Sequence, residues 1–155
     1  MSKLQKGQPA PDFELPASDG TRVRLSQFRG KSPVVIFFYP KDDTSGCTKE
    51  ACGFRDAKPE FEAHGAELIG ISSDSGQSHA KFAAKYGLPF TLLSDRGGAV
   101  RKLYNVKSTF GIIPGRATFV VDKDGLLCHS FTSLTEPEKH IDEALLALRQ
   151  RREVF

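Results

Sequence analysis

Two cysteines five residues apart, Cys47 and Cys52, are the clearest candidates for chemistry in this chain. The apolar run 34–38 before them predicts a buried strand, and the residues from Gly46 onward predict a helix with Cys47 in its first turn. A thiol there feels the positive end of the helix dipole and several free backbone N–H groups. Both favour the thiolate, which is the reactive form. The segment therefore predicts a cysteine nucleophile with a second thiol close behind it.

The spacing of the two cysteines limits how they can react with each other. On an intact helix, a separation of five residues corresponds to a rise of about 7.5 Å and to divergent side chains. A disulfide needs Cα atoms within about 7 Å and Cβ vectors that converge. Cys47 and Cys52 therefore cannot bond while the helix is whole, and a bond between them predicts a redox-coupled local unfolding. The spacing also differs from the Cys-x-x-Cys of thioredoxin-type dithiols.

The residues around Cys47 suit attack on a peroxide. In that reaction Cys47 becomes a sulfenic acid, and Cys52 condenses with it before a second oxidation traps the sulfur. Charge moves from sulfur to the leaving oxygen, so fixed donors and a cation near both atoms stabilise the transition state. The Thr44 hydroxyl and the backbone N–H groups of Gly46 and Cys47 can supply such donors. Pro40 ends the preceding strand and can cover the sulfur from water.

Hydrophobic periodicity and turn residues predict the elements that position this segment. A hairpin comes first, over 13–25. The remaining strands and helices alternate and end in a second hairpin and a helix: strands over 34–39, 67–72, 90–93, 116–121 and 126–132, and helices over 46–64, 75–86, 99–104 and 137–152. Pro59 is placed to kink or divide the first helix. This order predicts an α/β fold, with a mixed sheet flanked by helices, in one domain over 1–155.

Topology rules also locate the predicted site. Right-handed crossovers place the start of the Cys47 helix at the carboxyl end of a central strand. Ligands bind at that edge of open α/β sheets.

Composition narrows the classes of protein. The net charge of +3 is small and, apart from the cluster 149–152, the basic residues are scattered, which argues against nucleic acid as a partner. We interpret that cluster as a solvated helix end. No apolar stretch approaches the roughly 20 residues of a membrane helix, and the start shows no secretory h-region. Three cysteines, an odd number, suit a reducing compartment with one working pair and one packed bystander, Cys128.

The motif Pro40-x-x-x-Thr44-x-x-Cys47 resembles the active-site signature of the peroxiredoxins. Its extension over 46–56, which includes Cys52, is similar to the peroxiredoxin Q group, also called bacterioferritin comigratory protein. The similarity covers nearly the whole chain and includes the stretches 8–13, 70–72, 88–95, 114–116 and 137–140.

This resemblance implies a thioredoxin-like fold and reduction of hydroperoxides without a metal or organic cofactor. It implies Cys47 as the peroxidatic cysteine and Cys52 as the resolving cysteine of the same chain, with thioredoxin, or glutaredoxin, as reductant. The family's catalytic arginine falls on Arg116, which would hold the thiolate and polarise the peroxide. The extra Cys128 and Ser45, where proline is frequent, depart from the pattern. We expect neither to abolish activity.

The resemblance also bears on assembly and compartment. We expect a monomer, because a resolving thiol in the same chain removes the need for a partner's thiol. The group has bacterial cytoplasmic and plastid members. We expect a cytoplasmic protein, or a plastid one if a transit peptide has been removed.

Other interpretations remain open at this point. The cysteine pair can instead act as a switch in a redox-responsive binding protein or holdase, while a disulfide oxidoreductase is disfavoured by the lack of Cys-x-x-Cys. Zinc is disfavoured because the two cysteines lack further ligands nearby: His64, His79 and His140 are predicted to be isolated, exposed helix residues. Thr44 alone can be a cap residue. Glu50 and Arg55 are expected to steady the segment through other partners.

Overall fold

The structure, a computed structural model, describes residues 4–106 and 115–153 of the chain. Pro114, which belongs to the stretch 114–116 that resembles the peroxiredoxin Q group, lies outside the described residues. The secondary structure is, in chain order, β1 (Glu14–Pro16), β2 (Arg22–Arg24), a 3-10 turn (Leu25–Phe28), β3 (Val34–Phe38), α1 (Ser45–Ala63), β4 (Glu67–Ser72), α2 (Gly76–Tyr86), β5 (Thr91–Ser94), α3 (Ala99–Leu103), β6 (Ala117–Val121), β7 (Leu127–Thr132) and α4 (Lys139–Glu153).

The main sheet is mixed and has the strand order β5-β4-β3-β6-β7. Strand β3 runs parallel to β4, β4 runs parallel to β5, and β6 and β7 are antiparallel to their neighbours. Strands β1 and β2 form a separate antiparallel hairpin. These findings confirm the predicted α/β architecture of a mixed sheet, flanking helices and an N-terminal hairpin.

The central strand β3 is buried along its whole length. Side chains alternate across a strand, so Val34, Ile36 and Phe38 pack on one face, with the β1–β2 hairpin and α3. Val35 and Phe37 pack on the other face, with residues of α1, α2 and α4. Both faces are covered, which explains why this strand is a continuous apolar run rather than an alternating one.

The observed boundaries differ from the predicted ones by one or two residues at most ends. Helix α4 begins at Lys139, so Pro137 precedes the helix instead of lying in its first turn. Helix α1 continues through Pro59, so the proline does not divide it. The main-chain nitrogen of Pro59 has no hydrogen, and the carbonyl of Arg55 therefore lacks its usual helical donor.

The sheet register determines which residues meet near Cys47. Phe38, the last residue of β3, pairs with Ile71 of β4 on one side and with Ala117 of β6 on the other. Because β6 is antiparallel to β3, the residue just before β6, Arg116, lies at the edge where β3 ends. Helix α1 begins at the same edge, as the topology rules predicted.

None of the helices in the described ranges combines the length and the apolar character required to span a membrane.

Candidate active site

Cys47 lies in the first turn of α1 and is 1% exposed. Thr44 is the N-cap residue, and its carbonyl accepts the bond from the Thr48 N–H at 2.8 Å. The backbone N–H groups of the first turn come before Thr48 in the chain, so they have no acceptor within the helix. They lie at the positive end of the helix dipole. The local structure therefore places the buried sulfur at the positive end of a helix.

Arg116, the residue just before β6, contacts the Cys47 sulfur. Its Nη2 donates to Cys47 Sγ at 3.4 Å, its Nη1 donates to Glu50 Oε1 at 2.7 Å, and its Nε donates to the Leu134 carbonyl at 3.3 Å. A Cβ at Gly46 would lie 3.0 Å from Nη2, so glycine leaves room for the guanidinium. Burial acts to lower the pKa of Arg116, but Glu50 and Cys47 together raise it above its usual value. A fixed cation thus stands beside the thiol.

Glu50 is a buried acid one turn along α1 from Cys47. Burial raises the pKa of Glu50 to about 8, against the opposing effect of Arg116. Its Oε2 is buried, and no hydrogen-bond donor reaches it from the described residues. A neutral carboxyl group does not offset the positive charge of Arg116, so the sulfur interacts with that charge more strongly. Its spacing of three residues from Cys47 is the sequence signal that places Glu50 on the same side of the helix.

His140, at the start of α4, lies behind Glu50. Its Nε2 donates to the Ser133 carbonyl at 2.8 Å, so its Nδ1 can accept from the Thr118 hydroxyl at 2.7 Å. The same Nδ1 is 3.5 Å from Glu50 Oε2. Burial lowers the pKa of His140 to about 4, so the ring is neutral near neutral pH.

The prediction that the helix histidines are exposed was wrong for two of them. His79 and His140 are fully buried, and His64 is half-buried. His79 lies on the side of α2 that packs toward β5, and His140 lies on the side of α4 that packs on β6. Periodicity did not identify these sides because a histidine fits either a polar or a buried helix position.

Arg101 is a second buried cation near the site, and sequence reasoning missed it. Its Nη1 donates to the Gly115 carbonyl at 2.7 Å and its Nη2 donates to the Tyr39 carbonyl at 2.8 Å. Burial lowers the pKa of Arg101, while the charges of Asp95 and Cys47 act in the opposite direction. The side chain thus joins the end of β3 to the residue before Arg116. Arginine is usually exposed, so the sequence offered no signal of this burial.

Thr44 and Pro40 lie on the turn between β3 and α1. Thr44 is exposed, and its hydroxyl donates to the Lys41 carbonyl at 2.9 Å, so in this conformation it donates its hydrogen to that carbonyl and not to the sulfur. Pro40 is half-buried directly after Tyr39. The structure therefore brings Arg116 to Cys47 and to Glu50, and keeps Thr44 on the adjacent turn.

Cys52 is half-buried on α1, and both it and Cys47 are free thiols while the helix is intact. It lines a groove between α1 and the beginning of α4, together with Lys49, Asp56 and Ile141. Cys52 is thus more accessible than Cys47.

The third cysteine, Cys128, is half-buried on β7 and packs against the core cluster that contains Cys47. Within the described part of the chain, no three His, Cys, Asp or Glu side chains are grouped to hold a metal ion.

Comparison with known sequences places this arrangement among related proteins. The profile of the AhpC/TSA family matches residues 6–130. A chloroplastic peroxiredoxin Q of Sedum lineare is 52% identical over 150 residues, which cover 96% of this chain and 80% of that protein.

Solved structures give a consistent result. Peroxidoxin BcpB of Mycobacterium tuberculosis superposes with a TM-score of 0.87 at 41% identity, over 95% of this chain and 97% of the other. The bacterioferritin comigratory protein of Xanthomonas campestris superposes with a TM-score of 0.80 at 34% identity, over 90% and 91%. The latter structure was described in connection with the alkyl peroxide reduction activity of that protein.

Proposed function

Because this chain belongs to the AhpC/TSA family as a peroxiredoxin of the Q type, we propose how its residues divide the work of a thiol peroxidase. The enzyme reduces hydroperoxides and is returned to its starting state by a thiol reductant. The main support for these residue roles is the contact between the Arg116 guanidinium and the buried Cys47 sulfur, at 3.4 Å. A cation held there by two further acceptors is fixed before the substrate arrives.

In the first step, the Cys47 thiolate attacks the terminal oxygen of the hydroperoxide. An S–O bond forms, the O–O bond breaks, and the sulfur is oxidised to a sulfenic acid. The leaving alkoxide or hydroxide takes up a proton and departs as alcohol or water. Arg116 stabilises the thiolate and then the charge that moves onto the leaving oxygen. Thr44 and the N–H groups at Gly46 and Cys47 are the proposed donors to the peroxide. For Thr44 this requires its hydroxyl to turn from the Lys41 carbonyl.

In the second step, the Cys52 thiolate attacks the oxidised sulfur of Cys47. The S–S bond forms, the S–O bond breaks, and hydroxide leaves and is protonated to water. Helix α1 must unwind between the two cysteines, because an intact helix keeps them apart. A dithiol protein, for which we propose thioredoxin, or glutaredoxin, then reduces the disulfide by exchange and is itself oxidised.

The decisive experiment is stopped-flow consumption of hydrogen peroxide with a thioredoxin system as reductant. Cys47→Ser is expected to abolish turnover. Cys52→Ser is expected to retain the first oxidation but lose recycling and accumulate sulfinic acid. Cys128→Ser is the matched control and is expected to behave like the parent enzyme. Full activity of the Cys47→Ser protein would refute these roles, and a single stoichiometric oxidation of the parent protein would favour the redox switch instead.

We also propose that the enzyme works as a monomer in a reducing compartment, either the cytoplasm or a plastid. The presence of both thiols in one chain supports the first point, and the plant relative is chloroplastic. Light scattering of the reduced and the oxidised protein tests the oligomeric state.

A further inference from the structure

Helix α2 makes three sets of contacts with the chain around the cysteines, and the first set involves Asp42. Both oxygens of this buried carboxylate are bonded. Oδ1 accepts from the Tyr39 hydroxyl at 2.5 Å, and Oδ2 accepts from the Ser78 hydroxyl at 2.7 Å. His79 Nδ1 is 2.8 Å from Oδ2, and its Nε2 is 3.0 Å from the Leu93 carbonyl. The turn before α1 is thereby attached to the N-terminal half of α2.

The neighbouring residue, Asp43, reaches the other end of α2. Its φ of 57° lies in the left-handed region, which aspartate tolerates better than most residues. Its carboxylate accepts from Lys85 Nζ at 2.9 Å and from the Tyr86 hydroxyl at 2.8 Å. Two consecutive aspartates therefore attach this turn to α2 at two points.

The third attachment lies just beyond the second cysteine. Arg55 Nη1 donates to the carbonyl of Tyr86 at 2.6 Å. Tyr86 is the last residue of α2, and Gly87 ends the helix in the left-handed conformation. A guanidinium at this position satisfies a terminal carbonyl and complements the negative end of the helix dipole.

Between these attachments, α1 is intrinsically weak. Its first turn has no acidic residue, and the Thr44 side chain does not cap it. Gly46 and Gly53 each lower helix stability relative to alanine. Contacts explain both glycines, because a Cβ at Gly53 would lie 2.8 Å from Ile141 Cδ1 and one at Gly46 would approach Arg116. Two fully buried phenylalanines attach the helix to the core: Phe54, at the end of this stretch, and Phe61, beyond Arg55.

The chain between the attachments is long enough to rearrange with its ends in place. Arg55 follows Thr44 by eleven residues, which span about 16 Å as a helix. The same length of extended chain reaches more than about 30 Å. Unwinding therefore gives Cys47 and Cys52 enough slack to meet without displacing either end.

We propose that α2 holds both ends of the segment 44–55 throughout the redox cycle, so that the unwinding which joins Cys47 to Cys52 is confined to this segment. This inference rests on the proposed function, because it presupposes the disulfide. Asp42, Asp43 and Arg55 are then positioning residues. They keep the ends of α1 in register, so that reduction restores the contact between Cys47 and Arg116.

Hydrogen exchange followed by mass spectrometry, on the reduced and the peroxide-oxidised protein, tests this proposal. Oxidation is expected to raise exchange in peptides within 45–54 and to leave 56–63 and 76–86 unchanged. A rise that extends through 56–63 in the parent protein would overturn the inference.

The variant Arg55→Gln tests the downstream attachment. In its oxidised form, exchange over 56–63 is expected to be about tenfold faster than in the parent, which corresponds to the loss of one charged hydrogen bond. In its reduced form little change is expected, because the intact helix and Phe61 hold that half. An equal rise in both redox states would show a merely structural role and contradict the proposal. Arg149→Gln is the matched control. Arg149 lies on α4, and its guanidinium is 3.1 Å from Glu60 Oε2 on α1, so this variant removes a different guanidinium that contacts α1 and should show no redox-dependent effect.

The variant Tyr86→Phe tests the upstream attachment without altering Arg55 or its carbonyl partner. Exchange over 40–44 in the oxidised protein is expected to rise about threefold, since one neutral hydrogen bond is lost. No redox-dependent change in either variant would overturn the proposal. Failure to detect the Cys47–Cys52 disulfide in oxidised parent protein would contradict the proposed function, whereas a disulfide with exchange beyond Arg55 contradicts this inference alone.

Discussion

Two buried carboxyl groups flank Cys47 along the chain, and each faces a histidine, but the two pairs differ in how completely they are bonded. Asp42 Oδ2 lies 2.8 Å from His79 Nδ1, and both Asp42 oxygens have partners. Glu50 Oε2 lies 3.5 Å from His140 Nδ1 and has no hydrogen bond with the described residues. The other Glu50 oxygen, Oε1, accepts a hydrogen bond from Arg116.

From this difference we expect the Asp42–His79 pair to stabilise the structure and the Glu50–His140 pair to control the charge near Cys47. A fully bonded buried carboxylate is expensive to disturb and suits the attachment of a turn. An incompletely bonded acid can change its protonation state without breaking a network, and Glu50 shares Arg116 with the Cys47 sulfur. Variants on the Glu50 side should therefore change the reaction, and variants on the Asp42 side should change stability and the segment's boundaries.

The largest expected effect is on the Glu50 side, from Arg116→Met. This change removes the fixed cation from the sulfur, and the rate of reaction with hydrogen peroxide should fall about 100-fold to 1,000-fold. The fold should survive, because Glu50 can bind a proton and remain neutral. Stopped-flow oxidation measures the rate and circular dichroism reports the fold. A loss below tenfold would mean that Arg116 does not act on the reacting sulfur.

On the Asp42 side, Asp42→Ala should destabilise the protein by about 3 kcal/mol, because it leaves His79 buried without its carboxylate partner. The rate of the first oxidation should change less than the stability, since Arg116 and Cys47 are not touched. Urea unfolding gives the free energy. The exposed neighbour provides the control, and Asp43→Asn should destabilise the protein much less than Asp42→Ala does. Equal losses from both variants would remove the distinction between buried and exposed attachment.

The next prediction concerns pH and His140. Its pKa in the folded protein is lowered to about 4 from an ordinary value of 6.5. A depressed folded pKa means that the unfolded chain binds the proton more readily, so stability is full above about pH 6.5 and is lost as the pH falls toward 4. The loss should reach about 3 kcal/mol. In His140→Gln, which cannot gain a proton, thermal unfolding between pH 4 and 6.5 should show a shallower decline. An unchanged decline would show that His140 is not its source.

The smallest expected effect concerns Glu50 at alkaline pH. The pKa of Glu50 is raised to about 8, so the acid ionises as the pH rises past that value. Its negative charge then competes with the sulfur and the leaving oxygen for Arg116, and the oxidation rate should fall by a factor of about three to ten. Glu50→Gln should abolish this alkaline decline. At lower pH, between about 4.5 and 8, the folded state loses stability as the pH rises, because it binds this proton more tightly than the unfolded chain. A decline that persists in Glu50→Gln would assign it to another group.

Much of the framework was predictable from local patterns. The buried run 34–38 and the Gly46–Cys52 segment predicted the strand, the helix and the edge at which they meet. Strand 67–72 was predicted without error, and helix 75–86 begins one residue later than predicted, because Ser75 serves as its cap. These features depend on periodicity and turn residues, which act over a few neighbouring positions.

The electrostatics of the site were not predictable in the same way. His140 was expected to be exposed and is buried against Thr118, and the sequence analysis gave Glu50 only a supporting role in its segment. Burial of a polar residue depends on which side of its helix meets the sheet, and that is decided by packing between distant elements. The shift of each pKa follows from this burial.

The amino-acid sequence by itself determined the pair of thiols, the helix that separates them and the family to which the chain belongs, since these depend on residue types at fixed short spacings. Only the tertiary structure decided that Arg116 reaches Cys47, that Glu50 lies close to His140 in space and that α2 contacts the chain on both sides of the cysteines. The physical reason is that such contacts join residues far apart in the chain. They arise only when a shared sheet brings the ends of its strands to one edge.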